Sequence, residues 1–120
     1  MKSISAPLLN SLLFIRDPTI GDRLEIDGIG AVWSSEALVA VSCVPDADGD
    51  TAIRIGWDHE ITPDVSLVFD GPLSTPSGTI VVETVPAVPV LQMTGLLKRT
   101  RVRIWTDGSR AAERVTIGLG

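Results

Sequence analysis

Three consecutive segments carry the clearest structural signal in the chain: LVAVSCV at 38–44, PDADGD at 45–50 and TAIRIGW at 51–57. The first is an apolar run. In the last, two isoleucines and a tryptophan alternate with smaller or polar residues, and a period of two places alternate side chains on one face of a β-strand. The Asp-Gly pair between them suits the positive φ angles of a tight turn. These segments predict a β-hairpin that joins 38–44 to 51–57.

Similar alternation appears in most other apolar segments, and proline and glycine separate them at intervals of about 8–12 residues. The apolar positions expected on core faces are Ile53, Ile55 and Trp57; Val65, Leu67 and Phe69; Ile80 and Val82; Val102 and Ile104; and Val115, Ile117 and Leu119. A second hairpin is predicted from 100–106 to 113–119. Short strands at this spacing predict an all-β fold, a single-domain antiparallel β-sandwich over residues 1–120, with a small β-barrel as the alternative.

Composition limits the class of protein. At 120 residues, with 44% hydrophobic and 21% charged residues, the chain has the size of one domain with its own core. We expect the N-terminus to belong to the mature protein, because Pro7 and Asn10 interrupt its apolar stretch. A net charge of −5 disfavours nucleic acids and anionic membranes as partners. A single cysteine, Cys43, excludes an intrachain disulfide and predicts a cytoplasmic protein.

Asp46, Asp48 and Asp50 resemble the start of an EF-hand loop, in which alternate carboxylates converge on a calcium ion. That loop needs glycine at its sixth position and glutamate at its twelfth, where this chain has Thr51 and Trp57. The three aspartates are therefore a weak candidate for another kind of cation site, and the simpler interpretation is a solvated acidic turn. No cofactor is predicted.

Few side chains are suited to catalysis. His59, between Asp58 and Glu60, is the only histidine, and a zinc site or acid–base catalysis needs further groups that its neighbours do not provide. Cys43 lies in an apolar run without a nearby base, so we expect a buried core thiol rather than a nucleophile. The sequence contains neither a Gly-x-Ser-x-Gly elbow nor a phosphate-binding glycine loop. It therefore predicts no catalytic residue and no enzyme.

Charge is distributed unevenly along the chain. Residues 46–70 hold seven acids and one base, whereas residues 98–114 hold six bases and two acids. Three interpretations of the basic segment, residues 98–114, stay open: an outer face that pairs with the acidic segment at 46–70, a protein interface rich in arginine and tryptophan, or a nucleic-acid-binding stripe. The candidate interface residues are Asp46, Asp48, Asp50, Asp58, Glu60, Arg99, Arg101, Arg103 and Trp105.

Register divides the aromatic side chains into two groups. Trp57 and Phe69 fall on predicted core faces, and Trp33 ends an apolar run, so we expect these three in the core. Trp105 alternates in phase with Arg99, Arg101 and Arg103, so its side chain is expected on the outer face and exposed to solvent.

The order of segments in the C-terminal half resembles that of a known family. Asp70-Gly-Pro-Leu-Ser-Thr-Pro-Ser-Gly78 is followed by the strand Thr79-Ile-Val-Val-Glu83, an apolar stretch, the strand Arg101-Val-Arg-Ile-Trp105 and a final strand. This order, over residues 57–119, is similar to that of small bacterial β-sandwich proteins of the competence protein J family. The resemblance implies a β-sandwich that acts as a cytoplasmic nuclease inhibitor. It assigns no binding residue.

The sequence favours a non-enzymatic protein-binding module, an inhibitor or immunity-type protein for a basic partner such as a nuclease. Two alternatives remain: a structural or homo-oligomeric β-subunit that associates through strand edges, and a small-ligand-binding or hydrolytic β-barrel. The predicted partner is a protein, not a nucleic acid and not a membrane.

Overall fold

The alternating apolar segments form ten β-strands in the computed structural model, which describes residues 1–21, 24–26, 30–85 and 88–120. The strands are β1 (Lys2–Ala6), β2 (Leu12–Arg16), β3 (Val32–Ser34), β4 (Leu38–Ser42), β5 (Thr51–Trp57), β6 (Ser66–Ser74), β7 (Ile80–Thr84), β8 (Val88–Met93), β9 (Arg99–Thr106) and β10 (Arg114–Leu119). Short 3-10 turns occupy Leu9–Ser11, Asp46–Asp48 and Asp58–Glu60. In the described ranges, no helix is long and apolar enough to span a membrane.

The strands form two five-stranded sheets. Sheet A has the order β1-β5-β10-β9-β6, and sheet B has the order β3-β4-β2-β7-β8. Neighbouring strands are antiparallel except β5 and β10, which run parallel with Ile53 opposite Val115 and Ile55 opposite Ile117. Neither sheet closes into a barrel. The β-sandwich predicted from the sequence is therefore confirmed.

Apolar side chains from both inner faces fill the space between the sheets. Sheet A contributes Ile53, Ile55, Val102, Ile104, Val115, Ile117 and Leu119, and sheet B contributes Leu13, Ile15, Val39, Val41, Ile80 and Val82, all at most 1% exposed. Full burial of one such side chain contributes about 1.5–3 kcal/mol. The alternating residues predicted for β5, β7, β9 and β10 thus supply much of the core.

The predicted hairpin between 38–44 and 51–57 does not form. β4 lies in sheet B between β3 and β2, whereas β5 lies in sheet A between β1 and β10. Residues 43–50 cross from one sheet to the other, and the Val44 N–H donates to the Ala112 carbonyl at 3.1 Å. Turn-forming residues between two apolar strands suit a connection between sheets as well as a hairpin, so the local pattern did not distinguish the two.

The second predicted hairpin is confirmed. β9 and β10 pair antiparallel with Thr106 opposite Val115. The Asp107 carboxylate holds the connecting loop together, because it accepts hydrogen bonds from the backbone N–H of Ser109 at 3.1 Å and of Glu113 at 3.0 Å. An aspartate that bonds the backbone ahead of it is typical of such turns.

The predicted core positions Val65 and Leu67 are wrong, since these side chains are 78% and 52% exposed. The register of β6 against β9 shifts between Leu67 and Phe69. An extra residue in a strand reverses which face the following residues occupy. The side chains of β6 therefore alternate as predicted, with Phe69 toward the core, only after this register shift. Phe69 and Trp57 pack against the core but remain half-buried, and Trp33 is also half-buried.

Asp17 is the most enclosed carboxylate of the described chain, with 0% exposure. It accepts hydrogen bonds from the N–H and Oγ1 of Thr19 at 2.8 and 2.6 Å and from the N–H and Oγ of Ser77 at 2.8 and 2.7 Å. Burial raises the pKa of Asp17, and the four donors together lower it by more, so its pKa lies below the usual range. The network joins the turn after β2 to the turn before β7.

Asp17→Asn should lower the free energy of unfolding at pH 7 by about 2–4 kcal/mol, because the new amide N–H groups would face backbone N–H donors. A carboxylate with a lowered folded-state pKa stabilises the fold above its unfolded pKa of about 3.9, and the stabilisation is lost as the pH falls through the folded value. Urea unfolding at pH 7 and at lower pH should therefore show the difference from wild type shrinking in acid.

The exposed variant Asp46→Asn is the control and should unfold with wild-type stability. An Asp17→Asn protein as stable as wild type at pH 7 would show that the buried network contributes nothing.

Candidate functional site

Part of the basic segment forms the outer face of β9, as the sequence predicted. Val102 and Ile104 point into the core with 0% exposure, so Arg101, Arg103 and Trp105 point outward from sheet A. Arg99 starts the strand and is exposed. These side chains share a face, but their surroundings differ.

Ion pairs join this outer face to the acidic segment. Arg101 binds Asp70 in a two-point contact at 2.9 and 2.8 Å. Arg103 binds Asp58. A third pair lies one strand away, where Arg114 contacts the carboxylate of Asp64 at 2.9 and 3.1 Å. Among the interpretations left open, internal pairing of the two charged segments therefore accounts for Asp58, Arg101 and Arg103.

The pKa values of these groups follow from the pairs. The hydrogen bonds from Arg101 lower the pKa of Asp70, and those from Arg114 lower the pKa of Asp64. The same contacts raise the pKa values of Arg101 and Arg114. Each carboxylate is therefore held in its charged form, and its charge is already matched within the protein.

Trp105 is buried, with 7% exposure, and the prediction of an exposed aromatic is wrong. The Arg103 guanidinium carbon lies 5.3 Å from the centre of its ring, within cation–π range. Gly118 on β10 leaves room for the ring, since a Cβ there would lie 3.2 Å from Trp105 and 3.0 Å from Asp58 Oδ1. The 3-10 turn that carries Asp58 thus lies over the outer face, a long-range contact that strand alternation does not reveal.

The Arg103–Asp58 pair is more enclosed than the Arg101–Asp70 pair. The side chains of Arg103 and Asp58 are 27% and 28% exposed, against 56% and 36% for the other pair. Asp58 Oδ1 and Arg103 Nε are buried and have no hydrogen-bond partner among the described residues. The ion pair between the Arg103 guanidinium and the other carboxylate oxygen of Asp58 is therefore the main compensation for the burial of both charges.

A double-mutant cycle with Arg103→Ala and Asp58→Ala should give a coupling free energy of about 1–2 kcal/mol in urea unfolding. The matched cycle of Arg101 and Asp70 should give a smaller value that salt abolishes, because water screens an exposed pair. Equal coupling in the two cycles would contradict the distinction based on burial.

Asp46, Asp48 and Asp50 lie on the connection between the sheets, and all three are exposed. Within the described residues, none of their carboxylates makes an ion pair or hydrogen bond. No group of three His, Cys, Asp or Glu side chains in the described ranges could hold a metal ion. Gly49 has a φ of 130°, as predicted for this turn.

In the neighbouring Asp58-His59-Glu60 turn, both carboxylates contact other residues of the same chain. Glu60 accepts a hydrogen bond from the Trp57 N–H at 3.1 Å and contacts the N-terminal amine of Met1 at 3.4 Å. The Trp57 hydrogen bond is the main cause of the lowered pKa of Glu60. His59 is exposed. Glu60 is thus engaged within the chain, as Asp58 is.

A fourth exposed acid lies beside the 46–50 turn. The Ala52 N–H donates to the Glu113 carbonyl at 2.8 Å, so the start of β5 and the start of β10 are adjacent. Glu113 is exposed. We call the exposed group Asp46, Asp48, Asp50 and Glu113 the acidic end of the sandwich.

No protein-family model and no curated protein matches the chain. A solved structure does: the crystal structure of ComJ, inhibitor of the DNA degrading activity of NucA, from Bacillus subtilis. The alignment covers 99% of this chain and 94% of that chain, with a TM-score of 0.69 and 12% sequence identity.

This chain has the fold of ComJ. The sandwich implied by the resemblance to the competence protein J family is therefore confirmed over almost the whole chain. At 12% identity, the match to ComJ describes the path of the backbone and assigns no role to a side chain of this protein.

Cys43 is 1% exposed, and the expected core thiol is confirmed. Burial is the main cause that raises its pKa to about 12, and the charge of Asp107 raises it further. The Cys43 thiol donates to the Val41 carbonyl at 3.6 Å. At neutral pH the thiol is therefore protonated and inaccessible, which makes it unsuited to nucleophilic attack.

The folded protein should fail to react with a thiol-specific disulfide reagent at pH 8, and one equivalent should react once urea unfolds the chain. Absorbance of the released thiolate measures both states. Rapid modification of the folded protein would show that Cys43 is accessible.

Proposed function

We propose that this protein is a non-enzymatic inhibitor that binds a basic protein partner, a nuclease, through its acidic end. The observation that carries the proposal is that Asp46, Asp48 and Asp50 are exposed and that their carboxylates have no partner among the described residues. The fold of ComJ, an inhibitor of a DNA-degrading activity, supports the inhibitor class. We further propose that residues 1–120 act as one domain in the cytoplasm, without a cofactor.

The internal ion pairs narrow the acidic interface predicted from the sequence. Of the acids between residues 46 and 70, Asp58, Asp64 and Asp70 pair with arginines, and Glu60 contacts the N-terminal amine. Their charges are locally compensated, so a partner gains little from them. The remaining three share one exposed turn. A compact group of uncompensated negative charges attracts a basic surface and accelerates its association.

The outer face of β9 is a weaker candidate for recognition. A stripe that binds single-stranded nucleic acid needs free cations and an accessible aromatic ring for base stacking. Arg101 and Arg103 are paired with carboxylates, and Trp105 is 7% exposed. These contacts favour a protein partner over a nucleic acid.

One observation favours a second candidate, a homo-oligomer. β6 is an edge strand of sheet A; its side chain Leu67 is exposed, and so is Val65, which directly precedes the strand. Edge strands with exposed apolar residues tend to pair with other chains. Light scattering on the purified protein gives its molar mass and so tests for a homo-oligomer before any partner is sought.

The test of the inhibitor proposal uses the immobilised protein and a lysate of the cells that produce it. Proteins retained at about 50 mM salt and released at about 500 mM are the electrostatic partners, because screening weakens exposed charge contacts. The released fraction should degrade DNA, and adding back the purified protein at low salt should suppress that degradation. The triple variant Asp46→Asn/Asp48→Asn/Asp50→Asn should associate with the captured nuclease at least about tenfold more slowly.

A matched variant separates a local interface from net charge. Glu25→Gln/Glu36→Gln/Asp70→Asn removes the same number of exposed acids elsewhere on the surface and should associate at nearly the wild-type rate. An equal decrease of the association rate in the two triple variants would refute the acidic end as the interface. A released fraction without inhibitable nuclease activity would refute the partner class.

A further inference from the structure

Two neighbouring cations have no partner in the part of the chain that the structure describes. Within the described residues, the side chains of Lys98 and Arg99 make no hydrogen bond and no ion pair. The other described lysines and arginines all have a partner. Those with a stated contact are Lys2 with the Gln92 carbonyl, Arg16 with Glu83, Arg54 with Thr116, Arg101 with Asp70, Arg103 with Asp58 and Arg114 with Asp64.

Both cations line one cavity of about 480 Å³. It lies between β6, an edge strand of sheet A, and the turn that connects β3 to β4 in sheet B. Phe69, which is half-buried, also lines it, as do Ser74 and Glu36. This volume falls within the range of sites that enclose small molecules.

Hydrogen bonds hold both rims of this cavity. Thr75 is 0% exposed, and its N–H donates to the Lys98 carbonyl at 2.8 Å while its hydroxyl donates to the Leu97 carbonyl at 2.6 Å. On the other side, the Ser74 N–H donates to the Glu36 carbonyl at 2.8 Å. The backbone of Lys98 and that of Glu36 are thus fixed in place before any ligand arrives.

We propose that this cavity binds a small organic monoanion, a carboxylate attached to a flat apolar group. Arginine presents two parallel N–H donors that match a carboxylate, and lysine adds a point charge. The Phe69 ring offers an apolar surface for the body of the ligand. Glu36 leaves the lining with one net positive charge, which suits one negative charge and disfavours a dianion such as a phosphate monoester.

This site is separate from the acidic end. Arg99 begins β9, whereas the acidic end adjoins the loop after Thr106, at the other end of the same strand. The inference therefore does not depend on the proposed inhibitor function, and each can fail alone.

The test is a titration of the 15N-labelled protein with benzoate, followed by NMR. Benzoate should shift the amide signals of residues 34–36, 69–74 and 98–99 and saturate with a dissociation constant of about 1 mM or below, typical of a ligand with few atoms. Benzylamine and benzyl alcohol, which lack the negative charge, should bind at least about tenfold more weakly. The variant Lys98→Gln/Arg99→Gln should lose benzoate affinity by a similar factor.

Arg101→Gln is the matched control on the same strand, since it removes an exposed arginine whose charge is engaged with Asp70. This variant should bind benzoate with wild-type affinity, and the spectra of both variants show whether each remains folded. Absence of saturable shifts up to about 20 mM benzoate would overturn the proposal. Equal affinity of wild type and the Lys98→Gln/Arg99→Gln variant would also overturn it.

Discussion

β5 lies parallel to β10, with Ile53 opposite Val115 and Ile55 opposite Ile117, and the placement of the charged residues depends on this pairing. To reach β10, the chain must leave sheet B after β4 and cross the sandwich through residues 43–50. The crossing leaves the acidic turn exposed at one end of the sandwich. The same pairing directs the end of β5 toward the outer face of sheet A, where Asp58 meets Arg103.

The two oppositely charged segments are therefore compensated only in part. Three ion pairs join residues 58–70 to residues 101–114 and match the charges of Asp58, Asp64 and Asp70 within the protein. Among the described residues, unpaired charges are grouped in two regions: carboxylates at the acidic end, and the cations Lys98 and Arg99 beside the cavity at the opposite end of β9. Because unpaired charges attract an oppositely charged partner more strongly than paired ones do, these two regions are the candidate binding sites.

Periodicity alone predicted the sandwich, the β9–β10 hairpin and the core faces of β5, β7, β9 and β10, because burial between two sheets imposes a period of two on each strand. It failed where a distant element decides the outcome. The turn at 45–50 has hairpin chemistry, yet β10 takes the place of β4 beside β5. The register shift in β6 turns Leu67 outward, and the Asp58 turn covers Trp105. The acidic part of the candidate interface could be narrowed to Asp46, Asp48 and Asp50 only after the ion pairs were located, since sequence gives the charges but not their partners.

Hydrogen–deuterium exchange on the complex with the captured basic partner tests most directly whether the acidic end is the binding face. Amide protons buried by a partner exchange more slowly than in the free protein. Slower exchange confined to residues 45–51 and 107–113, which border the acidic end, is the predicted result. Slower exchange confined to residues 66–74 and 99–106, with unchanged exchange at 45–51, would place the partner on the outer face of β6 and β9 and contradict the account.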